Sequence, residues 1–253
     1  MSEVGPGDGK EQEPRLDRER PSSDGGATVL PGWLAHLAGD GQRVLIDGPG
    51  SVLRLAAVLR SLIVLLSDSS ISDGDLEGSE ELIEGLAALL SRAQMSNAGK
   101  PTMAGVALAD SESFLDRSPF IGLKNPLSPP VVVQIVRDVD DSWVVIGSVT
   151  FGSPYEGPPG YVHGGFLAAV FDEICGLAQS LAGQPAMTAH LSVDYRRPTP
   201  LWSEVEFSAR LERIDGRKHF ASAVARVQGV ETATAEALFV TVDFETLRAR
   251  RNE

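Results

Sequence analysis

The chain has 253 residues, 42% hydrophobic and 23% charged, a composition that fits a folded globular protein and excludes a wholly disordered one. Lys and Arg number 22 against 35 Asp and Glu, and a net charge of −13 argues against a general nucleic-acid-binding surface. The single cysteine, Cys175, excludes an internal disulfide framework, and no Cys/His group has zinc spacing.

Residues 1–27 are rich in Gly, Pro and charge and hold few large apolar side chains, so they read as a disordered acidic tail. This stretch lacks the apolar core of a secretory signal, and its seven acids do not fit a mitochondrial presequence. The most apolar segment, Val52–Leu66, carries Arg54 and Arg60 and is shorter than the ~20 residues of a membrane span. A cytoplasmic protein with no membrane span is expected.

Residues 28–100 read as a helical extension. Leu53, Ala57, Arg60 and Val64 belong to a first helix, apolar nearly all round. Leu82, Leu86, Leu89, Leu90 and Ala93 mark one stripe of a second, with Ser79 as its expected N-cap and Glu80 and Glu81 at the positive end of its dipole. That stripe is expected to be buried. Ser67–Gly74 between the helices reads as a turn.

Residues 101–250 differ in character. After an irregular, proline-bearing stretch to residue 130, Val131–Arg137 and Trp143–Phe151 read as strands. A Pro/Gly loop, Ser153–Gly160, leads to an apolar helix, Phe166–Leu181. Four strands follow: Met187–Arg196, an alternating run around 204–212, Lys218–Val227 after the Asp215-Gly216 turn, and Thr232–Phe244. Their short connections suggest a four-stranded antiparallel meander covered by the single apolar helix, an α+β arrangement.

The chemistry concentrates on that helix. Asp172 and Glu173 interrupt its apolar run, and unpaired buried charge is expensive. Adjacent helical residues point about 100° apart, so the two carboxylates cannot face one cleft. His163-Gly164-Gly165 precede the helix, whose N-terminal N–H groups can hold a developing oxyanion, and glycines let a ligand approach the backbone.

These residues carry a resemblance. His163-Gly164-Gly165, Asp172 nine residues after His163, and the strands that follow resemble hotdog-fold thioesterases of the PaaI type, and more closely the THEM-type acyl-CoA thioesterases. The latter share Glu156-Gly-Pro-Pro-Gly160, Val162-His-Gly-Gly165, Met187-Thr-Ala189, Tyr195-Arg-Arg-Pro198-Thr-Pro200 and Gly216-Arg-Lys218. The likeness spans roughly residues 115–245 and leaves residues 1–100 unexplained.

The resemblance implies a hotdog fold, an antiparallel sheet wrapped around a central helix, in a homodimer or homotetramer with active sites shared between subunits. It implies hydrolysis of a fatty acyl-CoA to free fatty acid and CoA, hence a place in fatty acid metabolism, without metal or redox cofactor. Asp172 would be the general base or nucleophile, Thr188 would position the attacking water, and the Gly164 N–H of the facing subunit would form the oxyanion hole. His163 belongs to the motif and is read as holding the loop, while Glu173 is read as structural and stands as the fallback acid. Gly165, Arg196, Arg197 and Lys218 are the substrate-binding candidates, the three cations for the CoA phosphates. One departure stands out: many PaaI-type enzymes carry an amide side chain where this chain has Gly157. His190, two residues after Thr188 and so assigned to its strand face, is read as a satisfied buried or interface histidine, and Cys175 as small apolar packing. The alternatives are a non-catalytic acyl-CoA-binding or regulatory protein, a hotdog hydratase, or a partner-binding scaffold.

Overall fold

The computed structural model describes residues 34, 50–67, 71–96, 115–116 and 118–243, so residues 1–27 lie outside it. Two helices come first, α1 (Ser51–Leu66) and α2 (Ser79–Ser96). Strands β1 (Val132–Arg137) and β2 (Trp143–Thr150) precede helix α3 (Gly164–Ser180). Then come β3 (Ala186–Tyr195), β4 (Glu204–Asp215), β5 (Lys218–Val227) and β6 (Val230–Thr241).

The six strands form one antiparallel sheet in the order β1-β2-β4-β5-β6-β3. Helix α3 packs on one face, touching β2 through β6. Alternation in the sequence explains the seat. Val205, Phe207 and Ala209 of β4, Ala221, Ala223 and Ala225 of β5, and Ala233, Ala235 and Ala237 of β6 all point inward and are buried. The alanines leave room on the central strands for the bulky helix residues Val170, Phe171 and Ile174, each fully buried. Phe171 meets Phe207 edge-on, with ring centroids 5.3 Å apart.

The expected four-strand meander is corrected. Strands β4, β5 and β6 follow one another, but β3 pairs with β6 at the far edge and β4 pairs with β2. The 196–203 connection contains Pro198 and Pro200 and runs across the end of the sheet instead of turning back. Arg196 and Arg197 donate backbone N–H groups to Thr232 O, Leu201 to Gly160 O, and Trp202 to Phe151 O. Its backbone groups are satisfied by three different segments, so a tight β3–β4 hairpin is not needed.

The N-terminal helices form where periodicity placed them, with two corrections. Ser79 lies within the first turn of α2 and its hydroxyl donates back to Leu76 O at 2.6 Å, so it does not cap an N–H. The α2 stripe is uncovered: Leu82 is 76% exposed, Leu89 59% and Leu90 46%. Only part of the expected Ser67–Gly74 turn is described, and Asp73–Leu76 there forms a short 3-10 turn. Helix α1 does dock. Arg60 donates from Nη1 to Leu123 O and Asn125 O at 3.1 and 3.0 Å, and Ser153 Oγ donates to Val64 O. Leu34 and Leu115 also reach the core.

Candidate active site at the start and middle of helix α3

The helix entrance is built from its own loop. His163 is the N-cap residue, and its Nδ1 accepts the Gly165 N–H at 3.0 Å, satisfying one of the first-turn amides. An accepting Nδ1 places the proton of a neutral ring on Nε2. The His163 N–H donates to Tyr155 O at 2.8 Å, and Phe166 N–H to His163 O at 3.0 Å. The loop-holding reading of His163 thus has a geometric basis. Gly165, expected to bind substrate, has its N–H engaged by the imidazole.

A side chain at Gly157 would place its Cβ 2.8 Å from His163 Cα. The backbone of this loop therefore excludes the amide side chain found there in many PaaI-type enzymes. The missing polar group is a consequence of how tightly residues 157 and 163 approach.

Eight residues further along α3, Asp172 is half-buried and its Oδ1 accepts the Thr188 hydroxyl at 2.8 Å. A β-bulge makes this contact. The β3–β6 register slips between Thr188 and His190, leaving Ala189 as the extra residue. Leu191, Val193 and Tyr195 face the helix opposite Ala237, Ala235 and Ala233; uninterrupted alternation would put Ala189 on that face and turn Thr188 away. With the extra residue, Thr188 pairs with inward-facing Phe239. His190 pairs with Leu238, so the expectation that it shares a face with Thr188 is corrected.

Glu173 points elsewhere. Ser118 Oγ donates to its Oε1 at 2.6 Å and accepts the N–H groups of Phe120 and Ile121, both at 3.2 Å. Burial pushes the Glu173 carboxyl above the usual carboxylate range; the Ser118 bond opposes this and the Asp172 charge adds to it. Glu173 anchors the 118–125 turn, the same turn that α1 grips through Arg60. Cys175 is fully buried, and burial pushes its thiol up to about 12, as suits a packing residue.

The three cations do not assemble as one group. Arg196 Nη2 lies 3.3 Å from Asp194, and Arg197 Nη1 donates to Glu231 O at 2.9 Å; both residues follow Tyr195, whose hydroxyl reaches Gly164 O. Lys218 pairs across β6 toward Met187, at the opposite end of the sheet, roughly 25–30 Å away by strand rise. It also faces outward, because His219 after it points inward and is buried. Among the described residues, no group of three or more His, Cys, Asp or Glu could hold a metal ion, and no helix is long and apolar enough to cross a membrane.

A distance decides what the site can do within one chain. Gly164 and Asp172 are eight residues apart on one helix, about 12 Å along the axis and about 80° around it. That separation is too great for one thioester carbonyl to meet both.

Comparison with known proteins gives the class. A family model described as the thioesterase superfamily matches residues 159–238. A solved structure described as a thioesterase superfamily protein is 31% identical, with a TM-score of 0.65, and the alignment covers 77% of this chain and 92% of that one. The chain belongs to the thioesterase superfamily, with the hotdog architecture. Acyl-coenzyme A thioesterase THEM4 of Rattus norvegicus is 38% identical over 94 residues, 36% of this chain and 40% of that protein. Acyl-coenzyme A thioesterase THEM5 of Homo sapiens is 35% identical over 85 residues, 34% of each. The chain thus matches less than half the length of these curated relatives.

Proposed function

We propose that the protein hydrolyses fatty acyl-CoA thioesters to free fatty acid and CoA, as a homodimer or a tetramer of such dimers, in sites each built from two subunits. The observation that carries this reading is the separation of Gly164 from Asp172 on one helix, beside an unpaired edge strand. Strand β3 lies at the sheet edge, and Met187, Thr188, His190 and Tyr195 are exposed on it. Two such edges paired about a two-fold axis would bring the Gly164 end of one subunit to the Asp172 end of the other.

In that site the thioester oxygen accepts the free Gly164 N–H, helped by the helix dipole. Thr188 holds one oxygen of Asp172, and the other takes a proton from water as the water attacks the carbonyl carbon. The tetrahedral oxyanion collapses, the C–S bond breaks, and the CoA sulfur leaves with the proton. Arg196 and Arg197 sit at the Gly164 end, where they can meet the CoA phosphates. Lys218, on the outward face of β5, has no part in this arrangement. A cytoplasmic site of action in fatty acid metabolism fits this chemistry.

Free-thiol release from a panel of acyl-CoA thioesters tests the activity, and a mixing experiment tests the shared site. Gly164→Pro removes the N–H and Asp172→Asn removes the base, so each should lower turnover by ~10²-fold or more alone. Subunit exchange of equal amounts makes about half heterodimers, each with one intact site in two, so about a quarter of the activity should return. Exchanged mixtures that stay inactive while both variants remain folded and dimeric would refute shared sites. Tight acyl-CoA binding without thiol release would favour the binding-protein alternative.

A further inference from the structure

We infer that Tyr195 is a positioning residue that clamps the Gly164–Gly165 peptide and so holds the Gly164 N–H ready for the thioester oxygen. This role rests on the reading of Gly164 as the oxyanion donor.

Gly164 needs holding. With no side chain, it has more backbone freedom than any other residue, and it stands where the loop becomes helix. The peptide on its N-terminal side is steadied by the bond from Phe166 N–H to His163 O. Since the N–H and C=O of a trans peptide point in opposite directions, that bond turns the Gly164 N–H away from the helix. The peptide on its C-terminal side is pinned at both ends: its N–H goes to His163 Nδ1 at 3.0 Å, and its carbonyl accepts the Tyr195 hydroxyl at 2.7 Å. The three bonds leave Gly164 little room to rotate.

Tyr195 also explains the glycine. A Cβ built at Gly164 would lie 3.2 Å from both Cζ and Oη of Tyr195, tighter than ordinary contact. The ring therefore rests against the bare Cα. The residue reaches this place from β3, on the same inward face that the bulge at Ala189 extends to Thr188. One strand thus serves both the start and the middle of α3, holding Gly164 through Tyr195 and Asp172 through Thr188.

The test is Tyr195→Phe, which keeps the ring and removes the hydroxyl. The expected result is a kcat about tenfold lower, short of the ~10²–10³ that loss of an oxyanion donor costs, with KM and melting temperature unchanged. Hydrogen exchange at the Gly165 amide should quicken several-fold, reporting the loosened peptide independently of turnover. A packing role would lower the melting temperature and leave kcat and exchange alone. Full kcat in Tyr195→Phe, beside an active wild-type protein, overturns this role and leaves the thioesterase reading standing. Unchanged exchange, or a kcat loss matched by a fall in melting temperature, overturns it too. A wild-type protein that releases no thiol overturns the function and this role together.

Discussion

The sheet with α3 and the two N-terminal helices follow the same local rules and end in different states. Both regions show clear apolar periodicity. In the first, the inward faces of β4, β5 and β6 meet one apolar helix, and Phe171, Phe207 and Ile174 lose essentially all contact with solvent. In α1 and α2, Val52, Val58, Leu82, Ile83 and Leu89 remain exposed, and among the described residues Arg60 and the Ser153–Val64 bond tie α1 to the rest of the chain. An amphipathic stripe determines that a helix has two faces. Whether the apolar face is covered depends on a second surface arriving opposite it.

Truncation should separate the two regions most sharply. Phe171→Ala or Phe207→Ala should cost about 3–5 kcal/mol in chemical denaturation, because each empties a fully enclosed site. Leu82→Ala or Leu89→Ala should stay within about 0.5 kcal/mol, as for exposed positions. A large loss at Leu82 would show that the stripe is covered in solution, and the contrast between the regions would fail.

A smaller effect tests the attachment of α1. Arg60→Ala removes two charge-assisted bonds to carbonyls, each worth roughly 1.5–3 kcal/mol where buried and less at this half-exposed position. The loss should be local: faster hydrogen exchange in residues 118–127 and little change in β4–β6. The Ser118–Glu173 bond ties that turn to α3, so a modest change in turnover should accompany it. Uniform loosening across the sheet would contradict a local clamp.

The smallest effect is a pH dependence inside the covered region. His219 is buried, its Nδ1 lies 3.0 Å from Gln179 Oε1, and burial holds its imidazole below the ordinary histidine value. The unfolded chain therefore binds a proton more readily than the folded one. Stability should be fully present above the usual histidine range and fall as pH drops through it toward the lowered folded value. Denaturation midpoints across that range should show the slope in wild type and a flatter line in His219→Gln. An equal slope in both would assign the dependence to other groups.

Much of the covered region was legible because its signals are local. Strand alternation at Val205, Phe207 and Ala209, the Asp215-Gly216 turn and the apolar run after Gly165 mark elements within three residues of their observed ends. The spacing of His163, Gly164 and Asp172 marked the start of α3 and the acidic position at its middle. What escaped has no local signature. The bond from Tyr195 to Gly164 spans 31 residues, Ser118 to Glu173 spans 55, and Arg60 to Leu123 spans 63. The bulge at Ala189 is the instructive case, because strict alternation assigns His190 to the face of Thr188 and only pairing with β6 reveals the slip.

The amino-acid pattern by itself determined which segments become helix or strand, which faces are apolar, and that a glycine-rich helix start stands eight residues before a lone half-polar break in an apolar helix. These follow from propensity and periodicity, which act over a few residues. Tertiary structure alone decided that β3 lies at the outer edge beside β6, that Thr188 turns toward Asp172, that Tyr195 rests on Gly164, and that Lys218 stands apart from Arg196 and Arg197. Those outcomes depend on which distant surfaces meet, and that is set by the shape left open by the whole packed sheet.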